Sequence, residues 1–342
     1  MALQTLWFIL WGVLWAVYFM LDGFDFGACM LRIFLSRDEL DRKVVLAAIG
    51  PVWDGNEVWL ITAGGATFAA FPATYASMFS FLYLPMLLIL FSLIARGAAI
   101  ELRGKHDAPR WRSVWDWVLA VSSFTAPLVL GLGFGNIFRG LAIDQTGYRG
   151  TFFGLFNPYG LLTALLFVLL FLQHGALWLR YKTDGELGER AGRLGGALWL
   201  LVLIVAAGFL VLTGFATRLY GNYLARPLLI VVPLLAVAAL IAVAVLRSRG
   251  RPLAAFGASC ATIVLVVAAG LIGLFPNLIP SRLDPAASLT AFNSSSGPYT
   301  LKVMTIVAAI FVPIVIVYQF LVFRFFRAKV TRTTVGQEAE GY

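Results

Sequence analysis

The chain has 342 residues, 61% of them hydrophobic and 13% charged, with a mean hydropathy of +0.88. A soluble domain of this size carries about twice that share of charge, so a water-soluble globular protein is excluded. The net charge of +9 comes from basic residues scattered through short loops, which excludes a nucleic-acid surface and leaves a membrane topology signal.

Nine continuous apolar stretches can be drawn, at about 3–35, 44–72, 74–101, 113–140, 156–182, 194–220, 227–246, 253–280 and 300–327. They do not alternate, so a β-barrel is excluded and an all-α polytopic membrane protein is expected. When alternate connections are counted, twenty of the 26 Lys and Arg residues fall on one side, Arg96 among them. Only Arg139, Arg149, Arg218, Arg226, Arg282 and Lys302 fall on the other. This asymmetry predicts nine transmembrane helices with the N-terminus outside and the C-terminus cytoplasmic.

Helix one carries Trp7, Trp11 and Trp15 four apart, a packing stripe, then Asp22 and Asp25 on one face. Gly23 and Gly27 there would let a neighbouring helix approach closely. The helix runs without a cleavage site into Asp-Gly-Phe-Asp and reads as retained. Helix two holds the densest polar segment, Trp53-Asp54-Gly55-Asn56-Glu57, within an apolar run. Each mid-helix carboxylate costs roughly 2.5–3.5 kcal/mol to insert, so a function is expected of the pair. Trp115-Asp116-Trp117 suits the interfacial belt where helix four leaves the cytoplasmic surface. Cys29 and Cys260 read as small core residues, and the tail after Arg327 as polar and frayed. The outer loop 281–299, rich in Ser and Pro, reads as a cover.

Residues 25–32 and 173–180 echo one another, both ending an outside-to-inside helix in Gly-Ala-x-x-Leu-Arg. The echo suggests one membrane domain built of two four-helix bundles, 1–140 and 141–280. An outer loop and ninth helix, 281–327, and a cytoplasmic tail, 328–342, complete it. No loop is long enough to house a soluble catalytic domain.

Helices one and two, joined by a short connection, are antiparallel neighbours. Asp25 and Asp54 then both lie about 15 Å from the cytoplasmic helix ends, and Asp22 and Glu57 about 5 Å deeper. A two-rung ladder of acids results, Asp25 with Asp54 and Asp22 with Glu57. Such a ladder suits proton transfer from the cytoplasm. The other reading is that these acids pair with arginine or cap backbone freed at Pro51, Gly55 and Gly64-Gly65. For Asp22 the pairing reading is at least as good, Glu57 fits either, and Asp25 and Asp54 suit the proton role. A di-metal carboxylate site is not expected, because Leu60 stands where such sites place His. Trp59, five residues past Asp54, faces elsewhere. The two histidines, His106 and His174, are too few for several six-coordinate hemes, and His174 reads as a helix contact.

Asp22–Gly27, Trp53–Ala66, Phe156–Leu162 and the segment Phe275–Pro313 resemble subunit II of the cytochrome bd-type quinol oxidases nearly end to end. The resemblance implies a non-heme-ligating subunit of a terminal oxidase in a bacterial or archaeal plasma membrane. The complex reduces oxygen to water with membrane quinol and builds a proton gradient without pumping. Heme b and heme d would lie in the partner, subunit I. The resemblance also allows a small single-helix accessory subunit and a structural quinone or lipid between helices. It assigns Asp54 and Asp25 to a cytoplasmic proton route and Trp59 to an oxygen channel. The connection at about 140–155 is shorter than in some relatives, which puts any role of that loop in doubt. The alternatives are a proton-coupled secondary transporter and a purely structural partner subunit.

Overall fold

The computed structural model describes residues 1–340. Its helices are α1 (Ala2–Leu35), α2 (Glu39–Ile49), α3 (Trp53–Ala70), α4 (Pro72–Phe81), α5 (Tyr83–Leu102) and α6 (Pro109–Arg139). A short hairpin follows, β1 (Ile143–Asp144) with β2 (Gly147–Tyr148), and then α7 (Pro158–Lys182), α8 (Gly185–Ala216), α9 (Tyr220–Ala225), α10 (Val231–Ser248) and α11 (Pro252–Leu274). A second hairpin, β3 (Asn277–Ile279) with β4 (Leu289–Thr290), precedes α12 (Pro298–Phe325) and α13 (Arg332–Glu340). Among the described residues, eight helices are long and apolar enough to cross a membrane, nine if α2 and α3 form one bent span.

The expected second helix is in fact two, bent by 47° between Ile49 and Trp53. Pro51 has no N–H to give the Ala47 carbonyl, and its ring crowds that turn. The expected third helix is likewise split at Leu82, three residues before Pro85, which leaves the Phe81 carbonyl without its helical donor. At Phe71 the backbone leaves the helical region (φ −135°, ψ 64°) as a residue preceding proline tends to. Asn157 starts α7 by accepting from the Gly160 N–H at 3.0 Å, with Pro158 in the first turn.

Helix α1 lies at the centre and packs against α3, α6, α7 and α11. Lipid is as apolar as leucine, so helices here are held by close packing and interhelical hydrogen bonds rather than by expulsion of water. The expected Trp stripe supplies both. Trp7, Trp11 and Trp15 are buried; Trp7 donates to the Leu301 carbonyl and Thr305 of α12, and Trp11 to Thr67 of α3. At Gly27 the backbone of α7 comes so close that a Cβ would strike the Phe171 carbonyl, and Gly175 faces Gly27 in return. The two echoed segments therefore meet each other at the tightest crossing of α1 and α7.

The tail is not frayed throughout. Helix α13 is docked by Arg332, which bonds Asp38 at 2.5 Å and Asp41 at 2.8 Å. Lys182 donates to the Phe326 and Ala328 carbonyls, just past the end of α12. The outer loop is ordered as well: Ser296 bonds the Ala70 carbonyl at 2.8 Å and Gln4 donates to Ser295 at 2.9 Å.

Candidate functional site

Arg96 organises the polar centre of the first hairpin, and the sequence reading missed it by counting it with the loops. It sits inside α5 with no exposed surface. Its guanidinium donates to both carboxylate oxygens of Asp22, at 2.7 and 3.0 Å, and to Glu57 at 2.9 Å. The face of Phe26 lies 4.0 Å from the guanidinium carbon. A planar fork suits two acids from two helices, and charge at this depth must be paired. The deeper rung of the ladder thus exists, with a cation between its acids.

The other rung does not form. Asp25 is buried and accepts a hydrogen bond from Asn56 Nδ2 at 2.7 Å, whereas Asp54 is exposed. The reason is helical: Asn56 lies about 200° round α3 from Asp54, so the face that meets α1 cannot also carry Asp54. The expected ladder assumed one straight helix through Pro51, and the bend there resets which residues of α3 face α1. Asp54 instead occupies the first turn of α3, where the positive end of the helix favours a carboxylate. Asn56 was part of the singled-out motif but had no expected partner. It takes one in Gln319 of α12, whose Nε2 donates to Asn56 Oδ1 at 2.9 Å.

Asp54 and Glu57, about 60° apart on α3, share the wall of a groove of about 840 Å³ between α3, α4, α5 and α6. The rest of that wall is mainly apolar, with Phe68, Met86, Ile94 and Phe134. Trp59 is buried in the core and forms no part of the groove wall, in keeping with its expected separate face. His174 is the expected helix contact: its two ring nitrogens pair with Ser259 of α11 and the Met20 carbonyl of α1, both at 2.9 Å. His106 is exposed, its Nδ1 accepting from the Ala108 N–H at 3.0 Å.

Asp116 departs from the interfacial role expected of it. It is buried and accepts from Arg32, Arg42 and Arg103, and Arg103 also grips Glu39 at 2.7 and 2.9 Å. Four segments are joined through this one carboxylate at the end of the bundle.

Against protein families, residues 3–326 match the model of cytochrome bd terminal oxidase subunit II. The chain belongs to that family. It is 39% identical to the cytochrome bd ubiquinol oxidase subunit 2 of Bacillus subtilis, over 96% of this chain and 97% of that protein. It is 35% identical to the cytochrome bd-I ubiquinol oxidase subunit 2 of Escherichia coli K12, over 92% of each. The fold matches a chain in the structure of the bd oxidase from Geobacillus thermodenitrificans, with a TM-score of 0.80 at 18% identity over 95% of this chain and 99% of that one. As a cytochrome bd subunit II the protein is a multi-pass component of a respiratory oxidoreductase complex of the bacterial plasma membrane.

Proposed function

We propose that this subunit gives a heme-bearing subunit I its cytoplasmic proton route, through Asp54 and Asp25, in a complex that oxidises membrane quinol and reduces oxygen to water. Subunit I would hold heme b and heme d. The observation that carries the reading is the division among the four acids. Asp22 and Glu57 share the buried cation Arg96, whereas Asp25 and Asp54 have no arginine or lysine partner among the described residues. The first pair is tied to a fixed cation, and the second has no such tie to hold it out of proton exchange. Asp54 is exposed at the groove wall, and Asp25 lies on the other side of α3 in the core. Glu57 belongs to the route as the acid that ties Arg96 to the groove wall. Trp59, on the core side of α3, serves an oxygen path separate from that of the protons. With Arg96 set aside, the nineteen other basic residues counted on one side support a mouth of the route toward the cytoplasm.

Family membership favours this reading over a secondary transporter, and an inert structural partner is the alternative that experiment decides. In the assembled oxidase, Asp54→Asn and Asp25→Asn are expected to slow quinol-driven oxygen consumption by at least about tenfold, as loss of a proton-transferring group does. Proton uptake from the cytoplasmic side should slow in step while the optical spectrum of the hemes stays unchanged. Full turnover with full proton uptake in both variants would leave these acids no role beyond packing.

A further inference from the structure

Asn56 is fully committed. Its side-chain N–H₂ faces two acceptors, Asp25 Oδ2 at 2.7 Å and the Leu21 carbonyl at 3.4 Å. Its Oδ1 is taken by the Gln319 N–H at 2.9 Å. Turned over, the amide would set its oxygen against the Leu21 carbonyl and the carboxylate and its nitrogen against a donor, so only one orientation satisfies all three neighbours. Gln319 is the only amide in α12, a helix whose most apolar window is 6% buried, and it is the side chain that reaches back to Asn56. Gly55 lies beside it, where a Cβ would make only ordinary contact with Gln319 Oε1 at 3.7 Å. At the far end of this chain of amides, Asp25 Oδ1 is buried with no hydrogen-bond partner among the described residues.

We propose that Gln319, acting through Asn56, is a positioning residue that reserves Oδ1 of Asp25 as the atom through which its proton is exchanged. This rests on the proton route proposed above. Asn56 can only donate to Asp25, so Oδ2 remains an acceptor whether the carboxyl is charged or neutral. The proton arrives on Oδ1 and leaves from Oδ1, and the bond to Asn56 persists through both steps. A carboxyl held this way needs no rotation between uptake and release, and the ninth span becomes part of the proton machinery although it carries no acid there. The charged neighbours of Asp25 are Asp22 on its own helix, Glu57 on α3 and Arg96 on α5, and these are locked to one another, so Asn56 alone orients it.

The test compares Gln319→Leu, Gln319→Met and Asp25→Asn in the complete oxidase. The readouts are quinol turnover, KM for quinol, the heme spectrum and the infrared band of the Asp25 carboxyl, assigned by its disappearance in Asp25→Asn. With Gln319 replaced, Asn56 Oδ1 loses its donor, and the amide is held by the Asp25 and Leu21 acceptors alone and can shift against them. Turnover should then fall by roughly tenfold, the effect of a misplaced reacting group, with the carboxyl band shifted and the KM and hemes unchanged. If Asp25→Asn is slow but the Gln319 variants match the parent in rate and band, the positioning role is wrong while the proton route stands. A slow variant with an unshifted band, or failure of both Gln319 variants to assemble, would likewise overturn it, since the contact then serves packing of α12. Unchanged turnover in Asp25→Asn removes the route itself and this inference with it.

Discussion

At Arg96 one guanidinium balances two carboxylates on two other helices, all within the span of the membrane. Removing one partner of a buried ion pair strands the other's charge, which costs about 3–5 kcal/mol. Arg96→Leu is therefore expected to lower the thermal midpoint and the yield of heme-bearing complex sharply. Arg96→Lys should fall between, because a point charge cannot span both acids as the planar fork does. The double variant Asp22→Leu with Arg96→Leu should recover most of the loss, since it removes the fully buried pair and leaves only Glu57, which reaches the groove. If Arg96→Leu assembled with the parent's midpoint, the triad would have no structural weight. The sequence offered this arginine in plain view, in the run Leu93-Ile94-Ala95-Arg96-Gly97. Counting it with the cytoplasmic loops hid it, because hydropathy alone cannot tell a snorkelling arginine near a helix end from one folded inward onto acids. The acids of the first hairpin were legible for the opposite reason: a carboxylate at that depth is costly wherever it points.

Among the elements, prolines show where local rules stop. Pro51 and Pro85 mark bends or breaks, whereas Pro127 and Pro313 lie inside α6 and α12, which continue as single helices. Each proline removes one donor, and the residue alone does not say whether the chain bends there. The break at Pro51 therefore could not be read, and with it went the expected rung between Asp25 and Asp54. The docking of α13 is another tertiary effect, since nothing local distinguishes Arg332 from the other basic residues of the tail. Asp38 caps α2 by accepting from the Asp41 N–H and also bonds Arg332, and these donors hold its carboxyl below its usual range. A carboxyl whose pKa is depressed in the folded protein contributes stability that is complete above its unfolded value of about 3.9 and is lost as pH falls below that. Asp184, held down by Lys329, acts in the same direction. Hydrogen exchange in α13, corrected for its intrinsic rate, should thus be slow at pH 7 and speed up below about pH 4. Asp38→Asn should reproduce part of that loosening at pH 7, because asparagine keeps the cap but not the charge facing Arg332. Protection that is flat across this range in both proteins would mean that apolar contacts such as that of buried Val335 hold the helix instead.

For the molecule as a whole, the polar contacts made by the connections and helix ends, apart from the polar centre around Arg96 and Asn56, sort into two ends that do not mix, and this bears on its orientation. At one end Arg37 meets Glu186, Arg190 meets Asp41 and the Leu35 carbonyl, Val330 pairs with Lys182, and Arg103 meets Glu39. At the other, Leu141 pairs with Pro280, Ser296 with Ala70, and Asn222 with the last carbonyls around α11. Segments that share an end in space are those that alternate counting placed on one side. An extra or a missing crossing would have put Arg37 and Arg332 at opposite ends, so the coarse plan was legible from hydropathy and charge together. Which end faces the cytoplasm is a prediction from the basic excess at the first end, and reporter fusions check it. Green fluorescent protein fused after residue 342 should fluoresce. Alkaline phosphatase fused within the loop at 281–297, followed by no further chain, should be active outside the membrane. The reverse pattern would turn the molecule over, placing the Asp54 groove mouth and the arginines around Asp116 on the wrong side for protons drawn from the cytoplasm, and the proposed route would fall even if every contact along it stood.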